Sequence, residues 1–226
     1  HVKAVFEEYL NGYDRENDKV KLKIVHTYGV IRCSEEIGRF EQLKRFNSFE
    51  ADTMDHATYG VQVLFEEGMI RQFIEEDTWD DVIRTAIAKH SDYELTGITD
   101  ERTLLHARLI RDADKLDNCR VKLEDAMETL LDLSADEVGK YAISPKVRED
   151  AFAGKCICSK DRRTPMDYWV SYVAYFYDLN FRETLDIVAE EQYVKRIIGR
   201  VPYTNEQTKK TMEELERQLT EYVRRK

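Results

Sequence analysis

Apolar residues recur along this chain at intervals of three and four, the period of a helix with one face in a core. Val2 to Asp14 reads as a first helix, with Val5, Phe6, Tyr9 and Leu10 on one side, broken by the polar stretch Asp14–Asp18. A second runs from about Lys19 to Cys33. Leu22, Val25, His26, Gly29, Val30 and Cys33 share one face of it, so His26 points into the core. A charged, turn-like stretch follows through Glu35–Ser48. Asp52 or Thr53 is placed to cap a third helix, on which His56, Tyr59, Gly60 and Val63 share a face and which Gly68 ends. Gly60, one turn beyond His56, leaves room beside the imidazole. Trp79 to His90 is a fourth helix. Ile83, Ala86, Ile87 and His90 follow the i, i+3, i+4, i+7 rule, which puts His90 on the buried stripe at the helix end.

The Ser91–Thr99 loop leads into an Asp-rich helical stretch, Leu104–Asn118. Leu105, Leu109, Ala113 and Leu116 recur at helical spacing and are expected to form its core face, with Arg108, Arg111 and Lys115 opposite. Asp112 and Asp114 fall on the margins of that face and Asp117 nearer its centre. Carboxylates are rarely buried unless a cation or several donors compensate them, so these aspartates need partners. Surface ion pairs with Arg108 and Lys115 are the ordinary reading; metal ligation is the sharper one. His106 lies on the apolar side and is read as structural.

Helices continue to the end. Ser134-x-x-Glu137 and Thr204-x-x-Gln207 have capping-box spacing, and Ser144-Pro145 and Thr164-Pro165 open helices with Pro in the first turn. Asp167 to Asp178, rich in Tyr and Phe and containing Trp169, reads as a buried helix. The last helix carries Met212, Leu215, Leu219 and Tyr222 on one side and ends on Arg224, Arg225 and Lys226, which suits its dipole. The Ala153–Arg163 loop is a basic island with Cys156 and Cys158 in a Cys-x-Cys. It is read as an ordinary mobile loop in preference to a substrate lid, and the Cys-x-Cys is weak evidence for zinc, because structural zinc needs two more ligands and no other Cys or His is close in sequence.

Three prolines, nine glycines and 35% charged residues among 226 agree with long helices and short connections. The expected fold is all-α: a helical core over residues 1–130 and a helical C-terminal extension, 131–226, packed on it as one structural unit. The net charge of −10 argues against non-specific nucleic-acid binding, which requires clustered cations, but leaves room for a small phosphorylated ligand held by a few Arg and Lys. No apolar run approaches membrane-spanning length and no signal-peptide pattern opens the chain. With four cysteines, too few for a disulfide scaffold, a reduced, cytoplasmic protein without a membrane partner is expected. Self-association into a homo-oligomer is left open.

A lone histidine on a core stripe is ordinarily a hydrogen-bonded core residue. His26, His56 and His90 on the buried stripes of three different helices, with an Asp-rich fourth, point instead to a shared metal site. Imidazole and carboxylate together suit a divalent transition metal (Mn, Fe, Co, Ni or Zn, as one or two ions) better than calcium or magnesium.

Several of these residues fall in short motifs: His26-Thr27, Ile37-Gly38-Arg39-Phe40, Asp55-His56-Ala57-x-x-Gly60, Ala88-x-His90 and Arg111-Asp112-Ala113-Asp114-Lys115-Leu116-Asp117. Together they resemble the HD-domain superfamily of metal-dependent phosphohydrolases, over about Lys19–Asn118. The resemblance implies an HD-domain helical bundle that holds one or two metals through a first His, a paired His-Asp, often two further His, and a last Asp. Carried over, His26 matches the first ligand, His56 and His90 match the extra histidines of the two-metal forms, and Asp114 matches the terminal aspartate, with Asp112 as runner-up. The chain departs from the pattern at the defining pair. Glu35-Glu36 stand where His-Asp should precede Ile37-Gly38-Arg39-Phe40, and the interval from His26 is short. Retention of the residues after the pair predicts a segment missing between about Ser34 and Ile37. An unbroken chain there leaves Glu35 or Glu36 as substitute oxygen ligands at best.

The implied chemistry is hydrolysis of a phosphate ester, of a nucleotide or a related small molecule, by a metal-activated water. Arg39 is placed to neutralise a non-bridging phosphate oxygen, with Lys44, Arg45 and Lys115 as weaker candidates. Asp55 has two readings, a catalytic one as base or orienter of an imidazole and a structural one as helix cap. The competing functional class is a catalytically inactive, HD-like helical module that binds nucleotide in a regulatory role.

Overall fold

A computed structural model describes residues 55–226. Ten α-helices and no strand are present among them. The chain divides into two compact units, the first ending at Arg111 and the second spanning Asp112–Lys226. The sequence boundary at residue 130 lies within the second.

In the first unit, α1 (His56–Val61) runs into a π-helical turn over Gln62–Glu66, and Gly68 ends the run as expected. Gly68 has φ +77°, a left-handed conformation that glycine adopts without steric cost. After a 3-10 turn, Met69–Gln72, comes α2 (Asp80–Lys89), with Trp79 and His90 as its flanking caps. Leu64, Ile70 and Ile87 form one small core and Ala86, Ala107 and Ile110 another.

Helix α3 (Glu101–Glu124) contains the division between the units. Its core face is not the leucine stripe. Leu105 is 51% and Leu109 38% exposed, Ala113 is exposed and Leu116 half-buried, while Ala107, Ile110, Arg111, Asp112, Lys115, Cys119 and Lys122 are buried. The wheel located the stripe by side-chain apolarity. Burial followed tertiary partners instead, because each inward charge meets compensating groups and Ala107 and Ile110 pack against Ala86.

The second unit continues with α4 (Met127–Leu131), α5 (Ala135–Val138), α6 (Pro145–Phe152), α7 (Pro165–Ala174), α8 (Arg182–Glu190), α9 (Tyr193–Ile198) and α10 (Glu206–Arg225). Met166, Trp169, Val170 and Val173 of α7 and Met212, Leu215, Leu219 and Val223 of α10 enter one continuous core with residues of α8 and α9. Each fully buried large side chain contributes about 1.5–3 kcal/mol of transfer free energy, so this core dominates the unit's stability.

Two capping boxes close on local chemistry, Ser134 with Glu137 and Thr164 with Asp167. The third does not. Asn205 caps α10 by accepting the Thr208 N–H at 3.0 Å, and the Thr204 N–H goes to Gly139 O instead. Ser144 precedes Pro145 as expected, but its hydroxyl donates to Asp167 at 2.6 Å rather than capping its own helix. Among the described residues no helix is long and apolar enough to cross a membrane.

Candidate metal centre

Asp55 sets the start of α1. Its carboxylate accepts the Thr58 N–H at 2.9 Å and the Thr58 hydroxyl at 2.6 Å, with a longer bond from Ala57 N. This is an N-cap, whereas the Asp52 and Thr53 that the sequence also offers lie outside the described residues. Partial burial pushes the Asp55 carboxyl up, but the two Thr58 donors and the neighbouring His56 outweigh it and hold the group below its ordinary range. His56 opens the helix one residue later, with its Nδ1 at 4.0 Å from Asp55 Oδ1, a charge neighbour rather than a hydrogen bond.

Helix α2 packs against α1 and delivers His90 at its C-terminal end. His90 Nδ1 lies 2.7 Å from Ile87 O. A carbonyl only accepts, so Nδ1 carries the proton and, in the neutral ring, Nε2 carries the lone pair. That Nε2 stands 3.2 Å from His56 Nε2, with the rings edge to face at 73° and centroids 5.1 Å apart. Two histidines 34 positions apart in the chain are thus brought together through the nitrogens that bind metals.

A proton or a divalent cation suits such a pair. As a hydrogen bond, 3.2 Å is at the long end of the usual range, and His56 Nε2–H would donate. Two imidazole nitrogens bound at about 2.05 Å to one ion stand about 3.3 Å apart for tetrahedral and about 2.9 Å apart for octahedral geometry. The observed spacing lies between these, so the N···N separation matches two imidazoles on one ion as well as a long hydrogen bond.

Arg111, at the last position of the first unit, is buried and donates from Nη1 to His90 O at 3.0 Å and from Nη2 to Tyr93 O at 2.9 Å. Sequence reasoning placed it on the solvent side of α3. The usable signal was its position directly after Ile110, on the stripe that begins at Ala107. His106 is half-buried; burial, then the nearby Arg102, push its imidazole below the ordinary value.

In the second unit, Asp112 is 1% exposed and receives the N–H groups of Asn180 and Phe181 and the Asn180 side-chain amide, which fastens the start of α8. Its oxygens are committed to structure. Asp114 is half-buried, and its backbone carbonyl accepts the Asn118 amide. Lys115 is buried with its ammonium 2.5 Å from Asp178 Oδ2, an ion pair that removes it from the exposed surface where a phosphate-binding lysine was expected. Asp117 pairs with Arg120 on the surface. Cys156 and Cys158 form no disulfide.

Among the described residues no group of three or more His, Cys, Asp or Glu is gathered closely enough to hold a metal ion; His56 and His90 are a pair. His26, Arg39, Lys44, Arg45, the Glu35-Glu36 position and the Ser34–Ile37 stretch lie outside the described residues.

Comparison with protein-family models, with curated proteins and with solved structures finds no match to this chain.

Proposed function

We propose that this protein is a metal-dependent phosphohydrolase that cleaves a phosphate ester of a nucleotide or a related small molecule. The observation that carries the reading is the 3.2 Å separation of His56 Nε2 and His90 Nε2, with His90 held as the Nδ1–H tautomer. It is supported by the resemblance of the motifs around these histidines to those of HD-domain enzymes. In this reading His56 and His90 are two of the ligands, and His26 and Asp114 are the ones the motif resemblance adds. A divalent metal there supplies an acidified water near neutral pH and positive charge against the phosphoryl oxygen. Arg39 binds the substrate phosphate, assisted by Lys44 and Arg45. Asp55 serves as the cap that fixes His56, its carboxylate already engaged by Thr58.

The test is metal analysis of the purified protein, followed by assay on a panel of nucleotides and phosphodiesters with Mn or Co added. Bound transition metal and turnover that His56→Ala and His90→Ala each abolish are expected. Metal content near zero together with no turnover would overturn the reading. A second reading, an inactive helical module that binds nucleotide, is favoured by one observation, Glu35-Glu36 in place of the family's His-Asp pair. Nucleotide binding without hydrolysis in the same assay would select it.

A further inference from the structure

Arg111 is only 4% exposed, and its guanidinium ends on two main-chain carbonyls, His90 O and Tyr93 O. His90 caps α2, and carbonyls of a last helical turn have no partner inside the helix. A cation at that end also complements the helix dipole. The planar fork matters as much as the charge, because one rigid group spans two acceptors and ties both to α3. The His90 main chain is therefore held from outside its own helix. From that held backbone, the bond from Nδ1–H to Ile87 O aims Nε2 at His56.

We propose that Arg111 is the positioning residue of the His56–His90 pair. It fixes the main chain of His90, so that the Nδ1–H tautomer persists and the Nε2 lone pair meets His56 Nε2 at ligand spacing. The consequence for an ion rests on the metal reading above, whereas the consequence for the tautomer does not.

The experiment uses the full chain as wild type, Arg111→Lys and Arg111→Gln. Lysine keeps the charge but presents one compact ammonium in place of the fork. Nitrogen NMR of the histidine rings in metal-free protein reads the His90 tautomer, and titration with Co(II), followed by its visible absorption, reads ligand geometry. Circular dichroism identifies the variants that remain folded, with Arg111→Lys as the milder change. Wild type is expected to show one fixed Nδ1–H ring and to bind Co(II). Arg111→Gln is expected to show a mixture of tautomers and affinity weakened about 10- to 100-fold, the usual effect of removing a group that orients a ligand. Arg111→Lys should fall between them. A merely structural role would lower the thermal midpoint and leave tautomer and affinity unchanged, and that result in a folded variant would overturn the proposal. Wild type that binds no Co(II), while the variants still lose the fixed tautomer, would sink the metal reading and leave the positioning role standing.

Discussion

The Asp112 carboxylate takes the Asn180 backbone N–H across both of its oxygens, at 3.0 Å each, and the Asn180 side-chain amide at 2.8 Å. Phe181 N, at 3.0 Å, completes the set at the foot of α8. Its neighbour two positions on, Asp114, has a half-buried side chain and was the stronger ligand candidate. These two acids are therefore expected to fail in different ways.

Asp112→Ala removes the acceptor shared by three donors on the exposed Asn180 and the half-buried Phe181, which water can partly replace, and should destabilise the protein by about 1–3 kcal/mol. Asp114→Ala should change stability by no more than about 0.5 kcal/mol and lower Co(II) affinity instead. Urea unfolding and Co(II) titration of both variants check this. The reverse pattern would transfer the ligand role to Asp112.

The difference between these aspartates marks how far the sequence was legible. Local chemistry read correctly: Ser134 with Glu137, the Pro-led helix start at Thr164 and the stop at Gly68 depend on residues within a few positions of each other. So did the inward placement of His90, because Ile83, Ala86 and Ile87 mark its stripe without ambiguity. On α3 two apolar stripes compete, Leu105–Leu109 and Ala107–Ile110, and hydrophobicity alone favours the leucines. The choice is made by partners distant in sequence: Tyr93 and His90 for Arg111, Asn180 for Asp112 and Asp178 for Lys115. No helical wheel contains them. Asp167 is a mixed case, held by its near neighbours Arg163 and Thr164 and by Ser144, 23 positions away.

Asp55 makes a prediction in pH. Its folded carboxyl titrates below the ordinary value of 3.8, so its contribution is present above that pH and is lost as pH falls through the folded value. Asp55→Ala should loosen α1 by about 1 kcal/mol at neutral pH, the usual worth of an N-cap. The gap from wild type should close only below about pH 4. Asp55→Asn should retain most of the cap without that acid sensitivity. Hydrogen exchange at the amides of α1, measured from neutral to acid pH, reads both effects. A gap that closed near pH 6 instead would assign the dependence to another group.

Cys119 is fully buried, with its Sγ 3.3 Å from Lys115 O and 3.2 Å from the Tyr175 hydroxyl. Burial pushes the thiol up to about 12, and the Tyr175 hydrogen bond and nearby Lys122 offset this only in part. The raised value means stability is lost as pH rises from about 9, where the unfolded thiol ionises, towards about 12. The thiolate is the reactive form. Brief alkylation of native protein at pH 8, read by mass spectrometry, should therefore modify the partly exposed Cys156 and Cys158 before Cys119. In urea all three should react alike. Early labelling of Cys119 in the native state would contradict its burial.

Gly139 opposes two simple expectations. Its φ of −65° suits any residue, so helix propensity alone favours alanine there by about 1 kcal/mol. A Cβ at this position, however, would lie 2.2 Å from Pro202 O and 2.9 Å from its carbonyl carbon, both main-chain atoms that cannot rotate away. The same segment is held in place because the Thr204 and Asn205 N–H groups donate to Gly139 O, at 3.1 and 3.2 Å. Relief of the clash would thus pull apart the two bonds that seat the start of α10. Gly139→Ala is expected to destabilise the second unit by about 2–3 kcal/mol, at the upper end of overpacking costs and opposite in sign to propensity. Thermal and urea unfolding of the variant decide between the two. A neutral or stabilising result would mean that the Pro202–Asn205 segment yields at little cost and that its contact with Gly139 does not anchor α10.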